Sequence, residues 1–313
     1  MRAGCKSLHY LGGGLCVGEL GQPMPQRTME AMRVGLVQMC TGRNVEKNLA
    51  DAGELIREAV RRGAQYVQTP EITTLMETER ERLFAAVRPE EGNAAISTFS
   101  ALARELGIWL HIGSMGILLG SGKIANRSFL FSPEGAIEAR FDKIHMFDVQ
   151  LAGGESYRES KNYQAGDAVV LAELPWGTLG LTVCYDLRFP HVYRALAKAG
   201  ADFLAIPSSF TRQTGAAHWH VLMRARAIEN GCFVLAAAQA GRHEIGRETY
   251  GHSLIVSPWG EILAEADGAQ PMVIVADIKP AEVQTARARI PSLQHDRPFQ
   301  IARASAVEAK VAS

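Results

Sequence analysis

Residues 181–190 read Leu181-Thr182-Val183-Cys184-Tyr185-Asp186-Leu187-Arg188-Phe189-Pro190 and join an apolar strand to a helix. The strand is predicted to end at Cys184, and Pro190 suits the first turn of the helix. In open α/β sheets, ligands bind at the carboxyl ends of the strands. The turn therefore predicts Cys184 at a sheet edge, where the backbone N–H groups that follow it face a developing oxyanion. The alternative is a buried structural cysteine, the common role of a lone cysteine.

Strands and helices alternate on both sides of this turn. On its N-terminal side, apolar spacing predicts a helix capped by Asn44 and ended by Gly63, a second helix at 93–106, and strands at 33–39, 64–69 and 109–113. On its C-terminal side, the same reasoning predicts helices at 190–199, 217–230 and 280–288, and strands at 169–174, 179–183, 202–206 and 233–238.

Each half also carries a hairpin with a Ser-Pro-x-Gly turn between two apolar strands, at 132–135 and at 257–260. Two similar strand–helix–strand halves, each followed by a hairpin, predict an α/β layered fold. We expect a four-layer α-β-β-α sandwich, in which two mixed sheets face each other and the helices lie outside.

The composition is that of an ordinary globular protein. The 313 residues carry no net charge, and 47% of them are apolar. Balanced charge provides no basic excess for binding nucleic acid or an anionic membrane, and no apolar run reaches the about 20 residues that span a bilayer. We therefore expect neither nucleic acid nor membrane as a partner. The five cysteines are widely spaced and form no CxxC pair, which indicates reduced thiols in the cytoplasm.

The two ends differ from the rest of the chain. Residues 1–31 show no sustained periodicity and include three consecutive glycines, and we expect a poorly ordered N-terminal extension there. The regular pattern predicts one domain over residues 32–297, followed by a C-terminal tail at 298–313.

Two charged residues follow other predicted elements. Glu71 comes directly after the strand at 64–69 and a proline, so it too is expected at the sheet edge. Lys143 follows the first hairpin. Taken alone, each has a simpler interpretation, because Glu71 would be a surface acid and Lys143 a solvated lysine.

Together, three motifs in this order resemble the signature of the nitrilase superfamily of carbon–nitrogen hydrolases. They are Pro70-Glu71, then Lys143-Ile144-His145-x-Phe147-Asp148, then Cys184-Tyr185-Asp186-x-Arg188-Phe189-Pro190. The resemblance covers residues 32–297 and implies a thiol amidase with a Glu-Lys-Cys triad, which cleaves a non-peptide amide and releases ammonia through a thioester.

The resemblance also implies a role for each residue. Glu71 is the general base for Cys184, a task that burial assists if it raises the carboxyl pKa. Lys143 and the backbone N–H of Tyr185 stabilise the oxyanion. Glu159, the family's second glutamate, orients Lys143 or the substrate. A solvated acid is the alternative for Glu159.

Within the superfamily, residues 236–243 and 247–253 resemble the Nit branch, in particular the deaminated glutathione amidases. Substrates of this branch carry carboxylates, so we expect Arg188 to bind one, since its planar guanidinium suits a carboxylate. Phe210 and Thr214 are expected to line the same pocket. A structural ion pair is the alternative for Arg188. His191 and His220 stand where glutamate is frequent in the family.

Several other functions are compatible with the same sequence. The substrate alternatives are α-ketoglutaramate (an ω-amidase), N-carbamoyl amino acids, aliphatic amides or nitriles. A binding or scaffold protein is the non-enzyme alternative, and a papain-like hydrolase would need a histidine beside Cys184.

His218 and His220 are two residues apart on a predicted helix and make a poor metal pair, so we expect no metal and no cofactor. The resemblance implies at least a homodimer, formed through the helices beside the nucleophile strand.

Overall fold

The computed structural model describes residue 28, residues 30–151 and residues 154–303. The extension expected at residues 1–31 falls mainly outside the described residues, as does most of the tail expected at 298–313. In the described part of the chain, no helix is both long and apolar enough to cross a bilayer.

The first of two large mixed sheets has seven strands. They are β1 (Met32–Gln38), β2 (Tyr66–Gln68), β3 (Trp109–Leu118), β4 (Ile124–Phe131), β5 (Ile137–Asp142), β8 (Tyr163–Gln164) and β17 (Met272–Ile278). Their order is β17-β1-β2-β3-β4-β5, with β8 paired to β4. The central strands β1, β2 and β3 are parallel, whereas β17, β4 and β5 join antiparallel to their neighbours.

The second sheet has six strands with the same pattern. They are β9 (Val170–Leu174), β10 (Gly177–Leu181), β11 (Phe203–Ala205), β12 (Phe233–Ala236), β15 (Leu254–Val256) and β16 (Ile262–Glu265), and they lie in this order. Again three parallel strands, β10 to β12, are flanked by one antiparallel strand on one side and a hairpin on the other. This shared topology confirms the prediction of two similar halves.

Six helices and two small hairpins complete the described structure. The helices are α1 (Val45–Arg61), α2 (Arg80–Ala86), α3 (Ala94–Leu106), α4 (Pro190–Lys198), α5 (Arg212–Asn230) and α6 (Ala281–Arg289). The hairpins pair β6 (Asp148–Gln150) with β7 (Ser156–Arg158), and β13 (Ala240–Arg242) with β14 (Glu248–Tyr250). Asn44 caps α1 as predicted, because its side chain accepts a hydrogen bond from the N–H of Lys47.

The apolar side chains arrange these elements in four layers. Alternate residues of β1, such as Val34 and Leu36, share a core with Leu179 and Leu181 of the second sheet. The opposite face of β1 packs against α1 and α3 through Val37. On β10, Gly180 faces Leu196 of α4, on the side away from the first sheet. The predicted sandwich of two mixed sheets with helices outside is therefore confirmed.

The structure differs from the sequence prediction in several elements. Strand β3 does not end at residue 113, as predicted, but passes through a register shift and runs on to Leu118. Helix α5 begins at Arg212 rather than near residue 217, because Thr211 caps it with its side chain. Helix α2, strands β8 and β17 and both small hairpins were not predicted.

Candidate active site

Three strand ends place the predicted reactive residues together. Glu71 follows β2, Cys184 follows β10, and Lys143 directly follows β5. Glu71 and Cys184 both come after strands in the parallel part of their sheets, where the carboxyl ends form the ligand-binding edge. The two sheets thus bring side chains from both halves of the chain into one site, and all three are buried.

A glycine permits the close approach of the two halves beneath this site. A Cβ added to Gly113 would lie 2.2 Å from the carbonyl oxygen of Thr69 and 2.4 Å from Cβ of Pro207. Thr69 lies two residues before Glu71, and the carbonyl of Pro207 accepts a hydrogen bond from the N–H of Cys184 at 2.9 Å. Gly113 therefore leaves the space in which the segments carrying Glu71 and Cys184 meet.

The turn that carries Cys184 has an unusual backbone. Cys184 has a φ of +50°, in the left-handed region that is unfavourable for residues other than glycine. Such conformations cost about 1–3 kcal/mol and persist where the surroundings impose them. Here the buried Asp186 accepts hydrogen bonds from the N–H of Val183 at 2.9 Å and from the N–H of His145 at 3.0 Å. One carboxylate thus connects the turn that carries Cys184 to the segment that carries Lys143.

Lys143 lies at the centre of a buried ionic cluster. Its Nζ donates to Oε1 of Glu71 at 2.8 Å and to Oε2 of Glu159 at 2.8 Å. The side-chain amide of Asn126 donates to both carboxylates, at 3.0 Å to Glu71 and at 3.1 Å to Glu159. Glu159 also accepts from the N–H of Phe147 at 2.6 Å. Charged donors and acceptors without competing water make these strong interactions.

The charges of this cluster determine the protonation states of Glu71 and Lys143. Burial alone would raise the pKa of Glu71, but the charge of Lys143 and its hydrogen bond outweigh burial, so this pKa lies below its ordinary value. The condition considered for Glu71, a carboxyl pKa raised by burial, is therefore not met, because the ammonium group stabilises the carboxylate. Burial opposes the charge of Lys143 as well, yet Glu159 and Glu71 together raise its pKa well above the ordinary value.

The Cys184 side chain is a thiol in this ground state. Burial, followed by the negative charge of Glu71, raises its pKa well above the ordinary value. The interaction of the thiol with the carboxylate of Glu71 contributes to this rise in the pKa of Cys184 and to the lowered pKa of Glu71. Glu71 is therefore ionised and Cys184 is protonated. General-base catalysis requires these starting states in the base and in the group that it deprotonates.

A single cavity of about 360 Å³ contains every residue predicted for the site. Its lining includes Glu71, Lys143, Cys184, Glu159, Tyr185, Arg188, Phe210 and Thr214. No histidine lines this cavity in the part of the chain that the structure describes. The geometry therefore favours the Glu-Lys-Cys set over a papain-like pair.

Tyr185 and Arg188 have groups available to a ligand. Among the described residues, no backbone carbonyl or side chain accepts a hydrogen bond from the N–H of Tyr185. The guanidinium of Arg188 lies 5.4 Å from the ring of Phe210 and 5.9 Å from that of Tyr185. No carboxylate of the described residues lies within 4.0 Å of it, so the structural ion pair considered for Arg188 is not found there.

Sequence reasoning missed two groups of this site, Asn126 in the ionic cluster and Arg247 in the cavity lining. Asn126 follows no local rule, because an asparagine in a strand has no special signal; only its pairing opposite the start of the Lys143 segment identifies it. Arg247 lines the cavity from the turn between β13 and β14. It was noticed only as part of a branch-specific motif, and the hairpin that presents it was not predicted.

Three histidines outside the cavity contact carboxylates. His145 Nδ1 lies 2.7 Å from Oδ1 of Asp186. His220 Nε2 and His252 Nδ1 lie 2.9 Å and 2.8 Å from the same oxygen of Glu265. This network connects α5 to the β15–β16 hairpin on a half-exposed surface.

Comparison of the sequence with known protein families identifies the class of protein that has these features. The carbon–nitrogen hydrolase family matches residues 33–288. The chain therefore belongs to this family, which confirms the resemblance indicated by the motifs around Glu71, Lys143 and Cys184.

One relative and two solved structures show which members of the family this chain resembles. Deaminated glutathione amidase of Yersinia enterocolitica is 40% identical over 272 residues, which cover 86% of this chain and 94% of the relative. The NitFhit protein of C. elegans matches with a TM-score of 0.80 and 33% identity, over 86% of this chain and 66% of that longer chain. A mutant amidase from Nesterenkonia sp. AN1 matches with a TM-score of 0.72 and 26% identity, over 88% of this chain and 97% of that one. That amidase carries the acetamide moiety of fluoroacetamide at its active-site cysteine.

Proposed function

We propose that this chain is a thiol-dependent amidase, with Cys184 as nucleophile, Glu71 as general base and Lys143 as oxyanion donor. The observation that carries this proposal is the buried contact of all three side chains in one cavity. Nothing about the fold requires two carboxylates, an ammonium and a thiol to share a buried site. Replacing such a cluster with apolar residues is often neutral or stabilising, which supports a catalytic reason for it.

The reaction follows from the ground state. As Sγ of Cys184 attacks the amide carbon, Glu71 accepts the thiol proton, and the carbonyl oxygen becomes an oxyanion beside Lys143 and the N–H of Tyr185. Protonated Glu71 then donates this proton to the departing nitrogen, so the C–N bond breaks and a thioester remains. Water attacks the thioester with Glu71 again as base, which releases the acid and restores the thiol. Glu159 and Asn126 hold Lys143 and Glu71 in place throughout.

The charge of the cavity indicates the substrate class. Its lining contains six cations, namely Arg80, Lys143, Arg158, Lys161, Arg188 and Arg247, and three acids, namely Glu71, Glu77 and Glu159. Glu71 and Glu159 are bound to Lys143, and Glu77 is bound to Arg43 outside the cavity. The other five cations have no carboxylate within 4.0 Å among the described residues. Such a surface attracts anions, so the substrate is a carboxylate-bearing amide.

Deaminated glutathione is the substrate that we propose. The name of the Yersinia relative supports it, and the molecule carries the carboxylates that the cavity favours. Its amide nitrogens are all substituted, so hydrolysis of its 2-oxoglutaryl amide gives 2-oxoglutarate and an amine, cysteinylglycine, rather than ammonia. Release of ammonia is expected only from primary amides such as α-ketoglutaramate. The assay must therefore follow the amine as well as ammonia.

A panel of amides separates this proposal from the alternatives. Deaminated glutathione, α-ketoglutaramate, an N-carbamoyl amino acid, propionamide and a nitrile are compared by kcat/KM. The proposal expects deaminated glutathione to have the highest value. A higher value for another member would replace the substrate and retain the mechanism.

The Arg188→Ala variant tests carboxylate recognition. We expect KM for deaminated glutathione to rise about 10- to 100-fold, because a hydrogen bond to a charged group is worth about 1.5–3 kcal/mol. Propionamide has no carboxylate, and its kcat/KM should stay within about 3-fold. Arg57→Ala, which removes a surface guanidinium paired with Glu105, is the control. Equal losses for both amides would contradict a role for Arg188 in binding a carboxylate.

We also propose that the chain forms a homodimer through the outer face of α5. Val221 and Ile228 lie seven residues apart on one face of this helix and are 69% and 51% exposed. Trp259, at 49% exposed, belongs to the β15–β16 turn, where Gly260 approaches Ile228. Contiguous exposed apolar side chains of this kind mark contact surfaces.

Sedimentation velocity tests the dimer. The wild-type protein is expected to sediment as a dimer at micromolar concentration, and the double variant Val221→Glu, Ile228→Glu as a monomer, because two buried charges per protomer destabilise the contact. Val169→Glu places a charge on a residue that is 43% exposed elsewhere and should leave the dimer intact. A monomeric wild-type protein would refute the proposal.

We propose that the protein is located in the cytoplasm, and the state of its cysteines supports this. Cys40, Cys184 and Cys232 are all free thiols. A nucleophilic thiol must stay reduced, so a reducing compartment such as the cytoplasm suits this chemistry.

A further inference from the structure

We infer that Arg247 forms a second carboxylate subsite, which binds a carboxylate on the leaving-group portion of the substrate. This inference rests on the proposed amidase function and deepens it, since Arg188 alone accounts for only one carboxylate. It defines the substrate as an amide with acidic groups on both sides of the scissile bond.

The first argument is that Arg247 is held rigidly at the cavity. It lies in the turn between β13 and β14, where its carbonyl accepts a hydrogen bond from the N–H of His243 at 2.9 Å. The buried His243 ring contacts Thr249 Oγ1 at 2.7 Å and the carbonyl of Thr41 at 2.9 Å, which fastens this turn to the body of the protein. A guanidinium fixed in this way loses little freedom when it binds a ligand.

The second argument is that the guanidinium has unused donors. One Nη of Arg247 donates to the carbonyl of Ser209, and the group stacks on the ring of Tyr157 at 5.2 Å. Its Nε is buried and has no acceptor among the described residues. No carboxylate in the described part of the chain lies within 4.0 Å of it. The other Nη has no acceptor among the described residues either. A ligand carboxylate in the cavity can therefore accept from this Nη without displacing a hydrogen bond to the protein.

The third argument concerns position relative to the nucleophile. The backbone N–H of Ser209 favours the thiolate form of Cys184 and lowers its pKa slightly against the larger effects of burial and Glu71, while the carbonyl of Ser209 accepts from Arg247. The next residue, Phe210, contacts Arg188. The two guanidinium groups therefore contact neighbouring residues of one segment, and both line the cavity that contains Cys184.

The two cations reach the cavity from different elements of the fold. Arg188 lies on the nucleophile's own turn, four residues after Cys184. Arg247 comes from one small hairpin and stacks on Tyr157 of the other, β6–β7, and neither hairpin belongs to the two main sheets. We therefore assign the acyl-side carboxylate to Arg188 and the leaving-group carboxylate to Arg247.

The test compares deaminated glutathione with its C-terminal carboxamide, which differs only in the leaving-group carboxylate. For Arg247→Ala, kcat/KM on deaminated glutathione is expected to fall about 10- to 100-fold, chiefly through KM. On the carboxamide, the same variant should stay within about 3-fold of wild type. Arg242→Ala removes an exposed guanidinium from the same hairpin and is the matched control. Equal losses on both substrates, or no loss on either, would overturn the subsite.

Binding to the Cys184→Ala protein separates this inference from the amidase proposal. Calorimetry on that variant requires no turnover. We expect it to bind deaminated glutathione at least about tenfold more tightly than the carboxamide, and we expect Arg247→Ala to remove this preference. A wild-type protein that hydrolyses neither compound would refute the amidase, yet the preference would still support the subsite. Absence of the preference would refute the subsite even in an active enzyme.

Discussion

Replacing Cys184 by alanine should lower kcat/KM for deaminated glutathione by at least about 10⁴-fold, because residues that act as one catalytic unit fail together. The change removes the sulfur atom that we propose forms the thioester, and it leaves the ionic cluster of Lys143, Glu71 and Glu159 intact. Circular dichroism and the urea midpoint should therefore stay close to wild type. Amine release from deaminated glutathione and ammonia release from α-ketoglutaramate are the two readouts.

A second cysteine provides the control. Cys40 is half-buried, contacts the carbonyl of Arg242, and does not line the cavity. Cys40→Ser should keep full activity. A fully active Cys184→Ala protein would refute the thiol mechanism. A folded wild-type protein that is silent toward every amide tested would instead favour the binding-protein alternative.

Replacing Lys143 by alanine should damage both activity and stability. Two buried carboxylates, Glu71 and Glu159, would then face each other with only the Asn126 amide between them. Breaking a buried ion pair costs about 3–5 kcal/mol of folding free energy. Loss of an oxyanion donor lowers kcat by about 10²- to 10³-fold. Urea unfolding and steady-state kinetics measure the two effects on one preparation.

A surface lysine shows what a simple loss of charge does. Lys47 pairs with Asp51 on α1, and its side chain is exposed. Lys47→Ala should change the free energy of unfolding by no more than about 1 kcal/mol, since exposed pairs contribute little. If Lys143→Ala were as stable as Lys47→Ala, the two carboxylates would not depend on Lys143. A Lys143→Ala enzyme with normal kcat would exclude it as an oxyanion donor.

Much of the fold and of the site could be predicted, because the signals are local. Asn44 before an amphipathic run predicts the start of α1, and Pro190 predicts the start of α4. Glu71 and Cys184 each follow an apolar strand, so they are expected at a sheet edge. The repeated Ser-Pro-x-Gly turns similarly predict the hairpins in both halves.

What could not be predicted depends on contacts between distant segments. Strand β17 is recognisable only by its pairing with β1, far away in the sequence. The pKa of Glu71 reflects an ammonium group 72 residues away, and its direction follows from a 2.8 Å contact that no local pattern encodes. Asn126 and Arg247 belong to the site for the same reason, because strand pairing and the β13–β14 hairpin bring them there.

The thioester on Cys184 is the most direct test of the account. Wild-type protein is mixed with deaminated glutathione, quenched in acid during turnover and analysed by intact mass and peptide mapping, with hydroxylamine present in a parallel reaction. We predict an adduct with the mass of the acyl group on the peptide that contains Cys184, and an acyl hydroxamate where hydroxylamine competes with water. Neither product should form with Cys184→Ala. Substrate consumption by the wild-type protein without adduct or hydroxamate, or an adduct on another residue, would contradict the account.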